Sequence, residues 1–426
     1  MEECNNIHPF DNMEKHSENV KMKKLYDSKS RLYIWIVFLT PFLSVYGLKS
    51  LGLDFGTLSL IIAFMVMCIK KKLAINFPKF DLWGVYIVYL LLGIVLYEIN
   101  IIPSFVSSTS IITRAGKYIL LILILLFSIK NDFFEYEYVI SVYIKLSLLA
   151  CMFILVQTIA FYLFGRIIHG YLPFFLYAET YESQLTVGIG TLYRPTSFFY
   201  EPSHFSQYCG MALPIILFKY GETDKRKYWY AIIVTLSIIA STSGMGIFLA
   251  GLVWIIWMMT ESNIINRTLN VKKIILATII ISVSYLFVVS DYGNKVTSRL
   301  IGKNTGLSAF DARTGSFEDI VQMDFWSLLF GNCYGNVIEN KYMTSWIFNI
   351  WCLGIVGSLI ILFLYFFCFK DAYRKEIKII VLINIISSFL GTTFMGVYFL
   401  IYFFVILSGN KKVNEKYEKS LYHNYS

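Results

Sequence analysis

Charged residues are scarce in this sequence. Asp, Glu, Lys and Arg together make up 15% of its 426 residues, while 57% are hydrophobic and the mean hydropathy is +0.62. Soluble domains carry roughly a quarter charged residues and about half apolar ones. The composition therefore excludes an ordinary soluble domain and predicts an integral membrane protein.

Motifs for nucleotides and metals are also missing. The sequence contains neither a GxxxxGK(S/T) phosphate loop nor a GxGxxG fingerprint. No group of His, Cys and Asp has the spacing of metal ligands, so we expect neither a metal nor another cofactor. The seven cysteines are scattered and form no CxxC pair, which indicates packing rather than disulfides. A substrate would have to arrive through the membrane already activated, which points to a lipid-linked donor.

The first thirty residues lack the apolar core of a cleavable signal peptide. They are polar and lysine-rich, and basic residues lie just before the first apolar run. Because basic residues favour the cytoplasmic side, we expect residues 1–31 to form a cytoplasmic tail and the first apolar run to act as a signal anchor. The lysine-bearing segment 409–426 is predicted to be a second cytoplasmic tail.

Apolar runs recur along the rest of the sequence. Because about twenty apolar residues cross the core of a bilayer, each run is interpreted as one membrane span. The predicted spans cover residues 32–48, 53–69, 82–97, 112–129, 138–164, 204–219, 229–241, 244–259, 274–290, 345–369, 377–390 and 394–408. Lys and Arg fall in alternate connections, which places both termini in the cytoplasm. We therefore predict an all-α polytopic membrane protein of about twelve transmembrane helices, with one transmembrane catalytic domain, 32–408.

Two predicted outer loops, about 165–203 and 291–344, are long enough to build a site. Most of the net charge of +9 lies in short basic clusters between spans, which indicates membrane topology and attraction to anionic membrane lipid rather than a nucleic-acid partner. The outer arginines run against this distribution. They are Arg166 and Arg194 in the first loop and Arg299 and Arg313 in the second.

The outer arginines predict a site for a lipid pyrophosphate. The planar guanidinium keeps its charge and matches phosphate geometry, so two or three arginines near the outer headgroups suit this ligand. The alternatives are contact with lipid headgroups or pairing with a carboxylate, and Asp311 competes in this way for Arg313. Arg114 and Lys117, three residues apart at the outer end of span four, share a helix face and need an anion. Candidate anions are Asp54, Glu98 and a substrate phosphate.

The segment 194–210, RPTSFFYEPSHFSQYCG, places an arginine, a glutamate and a histidine within seventeen residues beside a predicted span. Glu201 and His204 are three residues apart where span six begins, after Pro202 sets the chain for helix entry. A carboxylate or an imidazole there is suited to take a proton from an acceptor hydroxyl. We rank Glu201 first and His204 second as the base, and Tyr200 is included among the substrate-binding residues.

Two alternatives for this segment stay open. Glu201 could instead pair with Arg194 and hold the loop, and Ser203 could simply cap the helix. His169 is the other histidine in an outer loop and ranks third as a base.

Four features in order along the chain resemble the bacterial Wzy-type O-antigen or capsule repeat-unit polymerases, relatives of the O-antigen ligases. The first is the arginine-to-EPS segment RPTSFFYEPS at 194–203, and the second is the small-residue hairpin STSGMG at 241–246. The third is the outer loop with Arg299 and Arg313 that leads to LFGNCYG at 329–335, and the fourth is the opening of span ten through LGIVG at 353–357.

The resemblance implies a GT-C-like membrane enzyme in the bacterial plasma (inner) membrane. It would join oligosaccharide repeat units carried on undecaprenyl pyrophosphate, on the outer face and without a metal, beside a chain-length regulator and a flippase of the same pathway. Ligases carry a histidine near the position of Met343, and its absence here favours a polymerase. A ligase and, from another class, a flippase or transporter are the alternatives.

Overall fold

The computed structural model describes residues 30–48, 53–70, 81–103, 105–106, 108–177, 184–186, 191–219, 226–260, 290, 293–295, 298, 317–337, 343–391 and 396–410. These residues are mostly helical. The helices are α1 (Ser30–Leu43), α2 (Phe55–Lys70), α3 (Leu82–Glu98), α4 (Ser108–Lys130), α5 (Tyr136–Phe164), α6 (Pro202–Gly210), α7 (Ala212–Lys219), α8 (Arg226–Ala240), α9 (Gly244–Thr260), α10 (Phe317–Val321), α11 (Phe325–Phe330), α12 (Ser345–Asp371), α13 (Lys375–Leu390) and α14 (Val397–Asn410). A 3-10 turn covers Pro173–Phe175.

Three helices, α4, α5 and α12, are long and apolar enough to cross a membrane. Helices also lie at the positions of the other predicted spans, except span nine, which falls outside the described residues apart from Ser290. Those helices are shorter, between eight and seventeen residues. The chain therefore has the helical, apolar character of a membrane protein, and the count of twelve spans stays a prediction.

Span six was predicted as one helix over 204–219, and that prediction is wrong in detail. The segment forms two helices, α6 and α7, that are separated at Met211. Pro214 explains the break, because proline has no N–H for the carbonyl of Gly210 and its ring crowds that carbonyl. The polar part of the segment thus belongs to a short helix of its own, which begins at Pro202.

Span ten, α12, is also broken. Gly354 has φ 63° and ψ −172°, a conformation outside the helix that is essentially restricted to glycine. The break lies beside the end of α11, where the backbone of Leu329–Gly331 runs against it. The break was not predicted, because the residues on both sides of Gly354 are apolar and the hydropathy of the sequence indicates one continuous span.

The all-α description needs two small corrections outside the helices. β1 (Gly47–Leu48) pairs with β2 (Leu53–Asp54), and β3 (Gln184–Thr186) pairs with β4 (Thr191–Tyr193), both antiparallel. A further bridge joins Tyr46 to Leu176. These ribbons are two or three residues long, too short to show a strand periodicity in the sequence.

Charged helix ends meet at the face opposite to these ribbons. Lys219 at the end of α7 forms an ion pair with Glu137 at the start of α5, and the Arg374 guanidinium lies 3.6 Å from the same carboxylate. The Arg374 guanidinium also stacks 4.2 Å from the Tyr136 ring. The bundle therefore has one basic end, at α5, α7 and α13, and a second end that carries the ribbons and the candidate site.

Candidate functional site

The segment 194–201 is held against the C-terminal half of α5. Its turn at Ser197 has φ 55°. The Ser197 N–H donates to Gln157 Oε1 at 2.9 Å, and its hydroxyl donates to the Ala150 carbonyl at 3.0 Å. Gln157 Nε2 donates in turn to the Ile168 carbonyl at 2.8 Å. One buried glutamine thus ties both ends of the first outer loop to α5, which gives the polar segment a defined position.

Aromatic rings pack beneath this segment. Phe198 stacks on Phe153 of α5 with ring centroids 4.6 Å apart, and Phe199 lies 4.9 Å from Phe42 of α1. Tyr208 of α6 joins the same cluster. Aromatic pairs at these separations stabilise a fold beyond their buried area. The aromatics between Arg194 and His204 are therefore the anchor that presents the polar residues.

Arg194 is buried, with 7% of its surface exposed. It follows β4, whose last residue, Tyr193, stacks on Phe161 at 4.4 Å. Burial raises the pKa of the Tyr193 hydroxyl to about 12, so the ring beside Arg194 stays neutral. An arginine so enclosed does not reach out to lipid headgroups, and the guanidinium charge acts inside the protein, where electrostatic interactions are stronger than in water.

Glu201 occupies the position just before α6, with an extended backbone (φ −134°, ψ 153°) and Pro202 as the first helical residue. Ser203 Oγ donates to Glu201 Oε2 at 2.8 Å. The bonded partner of the Ser203 hydroxyl is thus the carboxylate, and the capping role considered for it is replaced by one of orienting Glu201. Glu201 is half-buried and lies at the positive end of the helix dipole.

His204 lies one turn into α6, beside α14. Its ring centroid is 5.0 Å from that of Tyr398. Nδ1 of His204 is buried and has no hydrogen-bond partner among the described residues. Glu201 and His204 therefore lie at the same helix start, with the carboxylate more accessible than the imidazole nitrogen.

Tyr200 connects the segment to the N-terminal half of α4. Its hydroxyl donates to the Val45 carbonyl at 2.7 Å, and the N–H of Tyr177 donates to the same oxygen at 2.9 Å. The Tyr177 ring centroid lies 5.9 Å from Lys117 Nζ. Tyr200 and Lys117, distant in sequence, are thus separated by little more than one aromatic side chain.

Asp54 is the anion that pairs with Lys117. The two side chains form an ion pair, and Asp54 is 2% exposed. The same carboxylate accepts from the N–H of Thr57 at 2.7 Å and from its hydroxyl at 2.9 Å. Of the three anions that the sequence left open, the structure selects Asp54 for Lys117.

Arg114 faces a different partner from Lys117. Its Nη1 donates to the Gly335 carbonyl at 3.0 Å, in the turn that follows α11, and its side chain is exposed. Tyr334 in this turn stacks on Tyr118 of α4 at 4.3 Å. The arginine-bearing end of α4 therefore meets the LFGNCYG turn, which belongs to the third of the four sequence features.

Several expected residues lie outside these contacts. Arg299 and Arg313 fall outside the described residues. His169 is exposed, with its ring 5.4 Å from that of Tyr171. In the described part of the chain, no three His, Cys, Asp or Glu side chains are grouped so that they could hold a metal ion.

Sequence reasoning missed a polar cluster beneath α6. Gln207 of α6 and Asn384 of α13 are buried, and within the described ranges neither side-chain amide has a hydrogen-bond partner. Gly391 lies between α6 and α12: a Cβ there would be 2.6 Å from Gln207 Nε2, and its carbonyl accepts from Ser345 Oγ at 2.7 Å. Amides inside apolar runs were the available signal, because polar side chains inside membrane spans are costly.

The Ser241–Gly246 hairpin packs directly on α6. Ser241 Oγ lies 3.3 Å from Ser206 Oγ. A Cβ at Gly246 would lie 2.5 Å from Ser206 Cβ, so glycine is needed for this close approach. The second of the four sequence features therefore supports the helix that carries Glu201 and His204.

Comparison with known proteins adds no relative. The chain matches no family model, no curated protein and no solved structure. The roles given to its residues therefore depend on the geometry above and on the resemblance seen in the sequence.

Proposed function

We propose that this protein joins oligosaccharide repeat units carried on undecaprenyl pyrophosphate into a surface polysaccharide, by glycosyl transfer on the outer face of a bacterial plasma (inner) membrane. The observation that carries the proposal is the presence of a buried arginine and a half-buried carboxylate in one short anchored segment, Arg194–Glu201. Transfer from a lipid pyrophosphate needs a cation for the departing diphosphate and a base for the acceptor hydroxyl.

Arg194 is proposed to stabilise the leaving pyrophosphate. Negative charge grows on the bridging oxygen as the glycosidic bond breaks, and a fixed guanidinium needs no reorganisation to meet it. The burial of Arg194 supports this role, since a screened surface cation would contribute less.

Glu201 is proposed to accept the proton of the acceptor sugar hydroxyl. The Ser203 hydrogen bond orients its carboxylate, and its partial exposure allows an acceptor to approach. His204 is the alternative base, because its buried Nδ1 is a ready acceptor. We keep Glu201 first because the imidazole lies against Tyr398, farther from the loop.

The cations of α4 contribute unequally to this proposal. The charge of Lys117 is offset by Asp54, whereas Arg114 contacts only a neutral carbonyl among its described hydrogen bonds. Arg114 is therefore the better candidate for the second pyrophosphate contact, and Tyr200 is proposed to contact the glycan. Arg299 and Arg313 stay candidates from the sequence. The proposed setting has both termini in the cytoplasm, and a chain-length regulator and a flippase as partners in the pathway.

A second candidate function is movement of a lipid-linked glycan across the membrane. Two observations favour it: the helix breaks at Met211 and Gly354, and the buried amides of Gln207 and Asn384. Transporters often place interrupted helices and polar groups within the bundle. The outer position of Arg194 and Glu201 favours glycosyl transfer over this alternative.

The test is deletion of the gene in its host, followed by complementation and gel analysis of the surface glycan. We expect the deletion strain to make a product one repeat unit long, and Glu201→Gln to behave like the deletion although the protein stays in the membrane. Glu98→Gln, an exposed glutamate at the outer end of α3, is the matched control and should restore long chains. An active Glu201→Gln beside an inactive His204→Gln would reassign the base.

Two other phenotypes of the deletion strain would reject polymerisation. Full-length polymer that stays on the lipid carrier indicates a ligase. Repeat units that accumulate on the cytoplasmic side indicate the transport function.

A further inference from the structure

An apolar cavity of about 370 Å³ lies between α3, the end of α11 and the break in α12. Its walls include Leu90, Gly93, Phe330 and Leu353. The hydroxyl of Tyr89, a polar side chain in this wall, is engaged: it lies 2.9 Å from the Phe330 carbonyl oxygen and 2.8 Å from that of Leu353. A space of this size with an apolar lining suits a hydrocarbon chain, and pockets of about 300 Å³ or more are common ligand sites.

The rim of this cavity is apolar and exposed. Trp326 and Phe325 of α11 are 66% and 67% exposed, and Leu92 of α3 is 50% exposed. Apolar side chains clustered at a surface mark contact with a membrane or another partner. Leu92 lies on a helix predicted to span the bilayer, and α11 lies beside it in the predicted second outer loop, so a lipid chain can enter the cavity from the side.

A second cavity, of about 250 Å³, adjoins the first and shares Pro103, Asp324 and Ser327 with it. Its chemistry is different, because Asp319, Gln322 and Asn332 supply polar groups and the rings of Phe105 and Trp351 supply a wall. The two rings lie 5.2 Å apart. Among the described residues, no Lys or Arg lines it.

Asn332 places a buried hydrogen-bond acceptor, without a donor in the described part of the chain, in the wall of the second cavity. The residue is 2% exposed, and its backbone is held on both sides, by the Trp351 carbonyl at 2.9 Å and by Asn336 Nδ2 at 2.8 Å. Its side-chain Oδ1 is buried, with no hydrogen-bond partner among the described residues. A buried acceptor without a donor is destabilising, so a ligand that donates a hydrogen bond there binds more tightly.

We propose that the two cavities together bind a glycolipid: its hydrocarbon chain lies in the cavity beside Gly93, and its uncharged, hydroxyl-rich headgroup lies in the cavity lined by Asn332, Asp319 and Asp324. This site is separate from the Arg194–Glu201 segment and does not depend on the proposed polymerisation.

The lining selects this headgroup over other lipid headgroups. Hydrogen bonds from Ser327 and Trp326 lower the pKa of the Asp324 carboxyl, so Asp324 is an anion at neutral pH and repels a phosphate. A quaternary ammonium carries no N–H and cannot donate to Asn332 Oδ1. Sugar hydroxyls donate to carboxylates and to amide oxygens, and the flat face of a sugar ring suits the aromatic wall.

The experiment measures lipid binding to the purified full-length protein by native mass spectrometry, in a detergent without a sugar headgroup. Four probes with identical acyl chains are compared: glucosyl diacylglycerol, phosphatidic acid, phosphatidylcholine and phosphatidylethanolamine. We expect the glucosyl lipid to bind about tenfold tighter than each of the others, the value of one well-made hydrogen bond.

Two variants separate the chain site from the headgroup site. A Cβ at Gly93 would make only ordinary contacts, 3.8 Å from Cys333 Cα, so Gly93→Leu fills the cavity without a backbone clash and should weaken glucosyl-lipid binding about tenfold. Gly251→Leu on α9, where a Cβ meets nothing within 4 Å, is the matched control and should bind normally. Asn332→Leu should abolish the preference for the glucosyl lipid, and an unchanged melting temperature shows that the variant is folded.

Several outcomes would overturn the proposal. Equal or tighter binding of phosphatidic acid or phosphatidylcholine rejects the uncharged headgroup, and tightest binding of phosphatidylethanolamine assigns the site to an ammonium instead. Normal binding by Gly93→Leu rejects the cavity as the chain site. A polymerisation defect in Glu201→Gln leaves all these results unaffected, so the two proposals fail independently.

Discussion

Gly331 and Gly354 pack backbone against backbone, so close that neither residue has room for a side chain of its own. A Cβ at Gly354 would lie 2.3 Å from the Leu329 carbonyl oxygen, and one at Gly331 would lie 2.4 Å from the Cys352 carbonyl oxygen. Both residues have a positive φ, 83° at Gly331 and 63° at Gly354. The Tyr89 hydroxyl lies within hydrogen-bond distance of two carbonyl oxygens, that of Phe330 on one side of this contact and that of Leu353 on the other. The end of α11 therefore fills the break in α12, where it forms one wall of the apolar cavity.

Gly354→Ala should destabilise the protein strongly. The backbone conformation alone costs a non-glycine residue about 1–3 kcal/mol, and the overlap with Leu329 adds to it. We expect a clear fall in melting temperature in detergent, measured by thermal denaturation. Gly116→Ala on α4, where a Cβ meets nothing within 4 Å, should melt like the wild type. An unchanged melting temperature for Gly354→Ala would contradict the interlock.

The ion pair of Lys117 and Asp54 gives a prediction about stability, since the sequence left the partner of Lys117 open. In Lys117→Met, the Asp54 carboxylate stays buried, with Thr57 as its remaining partner among the described residues. We expect the free energy of unfolding to fall by about 3 kcal/mol, the lower end for buried ion pairs, because Lys117 is a quarter exposed. The double variant Asp54→Leu with Lys117→Met removes both charges and should recover most of that stability. Thermal melting of the four proteins measures the coupling, and purely additive losses would show that the pair is not structural.

Arg194 should be needed for chain growth. Arg194→Ala is expected to stay in the membrane and to lower the polymerisation rate about 100-fold or more, as loss of one transition-state donor does. Arg194→Lys should not restore the activity, because an ammonium does not reproduce the planar fork. Arg166→Ala, an exposed arginine of the same loop, is the control. Normal glycan length in Arg194→Ala, with reduced length in Arg166→Ala, would reverse the assignment.

Cys333 should resist alkylation at neutral pH. Burial raises the pKa of its thiol from 9.0 to about 11, and the thiolate is the reactive form. Below pH 9 the thiolate population is therefore about 100-fold smaller than for an unshifted thiol, and it grows as the pH rises toward 11. Mass spectrometry of maleimide-treated protein measures the rate, with Arg166→Cys as the exposed reference. Equal rates for the two thiols at pH 7 would contradict the burial.

The predicted topology can be tested with tags. Tags inserted at residues 180 and 310 should be reached by an impermeant reagent from outside the cell, because both lie in predicted outer loops. A tag at residue 223, in a predicted inner turn, should be protected until the membrane is opened. Labelling of all three tags from outside would reject the assigned orientation.

Much of the architecture was accessible from the sequence because hydropathy acts over local windows. Apart from α10 and α11, which lie in the predicted second outer loop, the helices of the described chain lie at the positions of the predicted spans, and the small-residue segments 241–246 and 353–357 lie at tight contacts. The breaks at Met211 and Gly354 were not predicted, since apolar residues continue on both sides of each. A window average does not register a single non-helical residue.

The sequence by itself determined that this is a helical, apolar protein, and it identified Arg194, Glu201 and His204 as candidate functional residues among apolar segments. Only the tertiary structure decided which contacts these and other polar residues make. Ser203 donates a hydrogen bond to Glu201, and the His204 ring lies against the ring of Tyr398. Lys117 forms its ion pair with Asp54 rather than with Glu98. The physical reason is range. Apolar transfer energy adds up residue by residue along the chain, whereas ion pairs, hydrogen bonds and cavities depend on distances between segments that only packing sets.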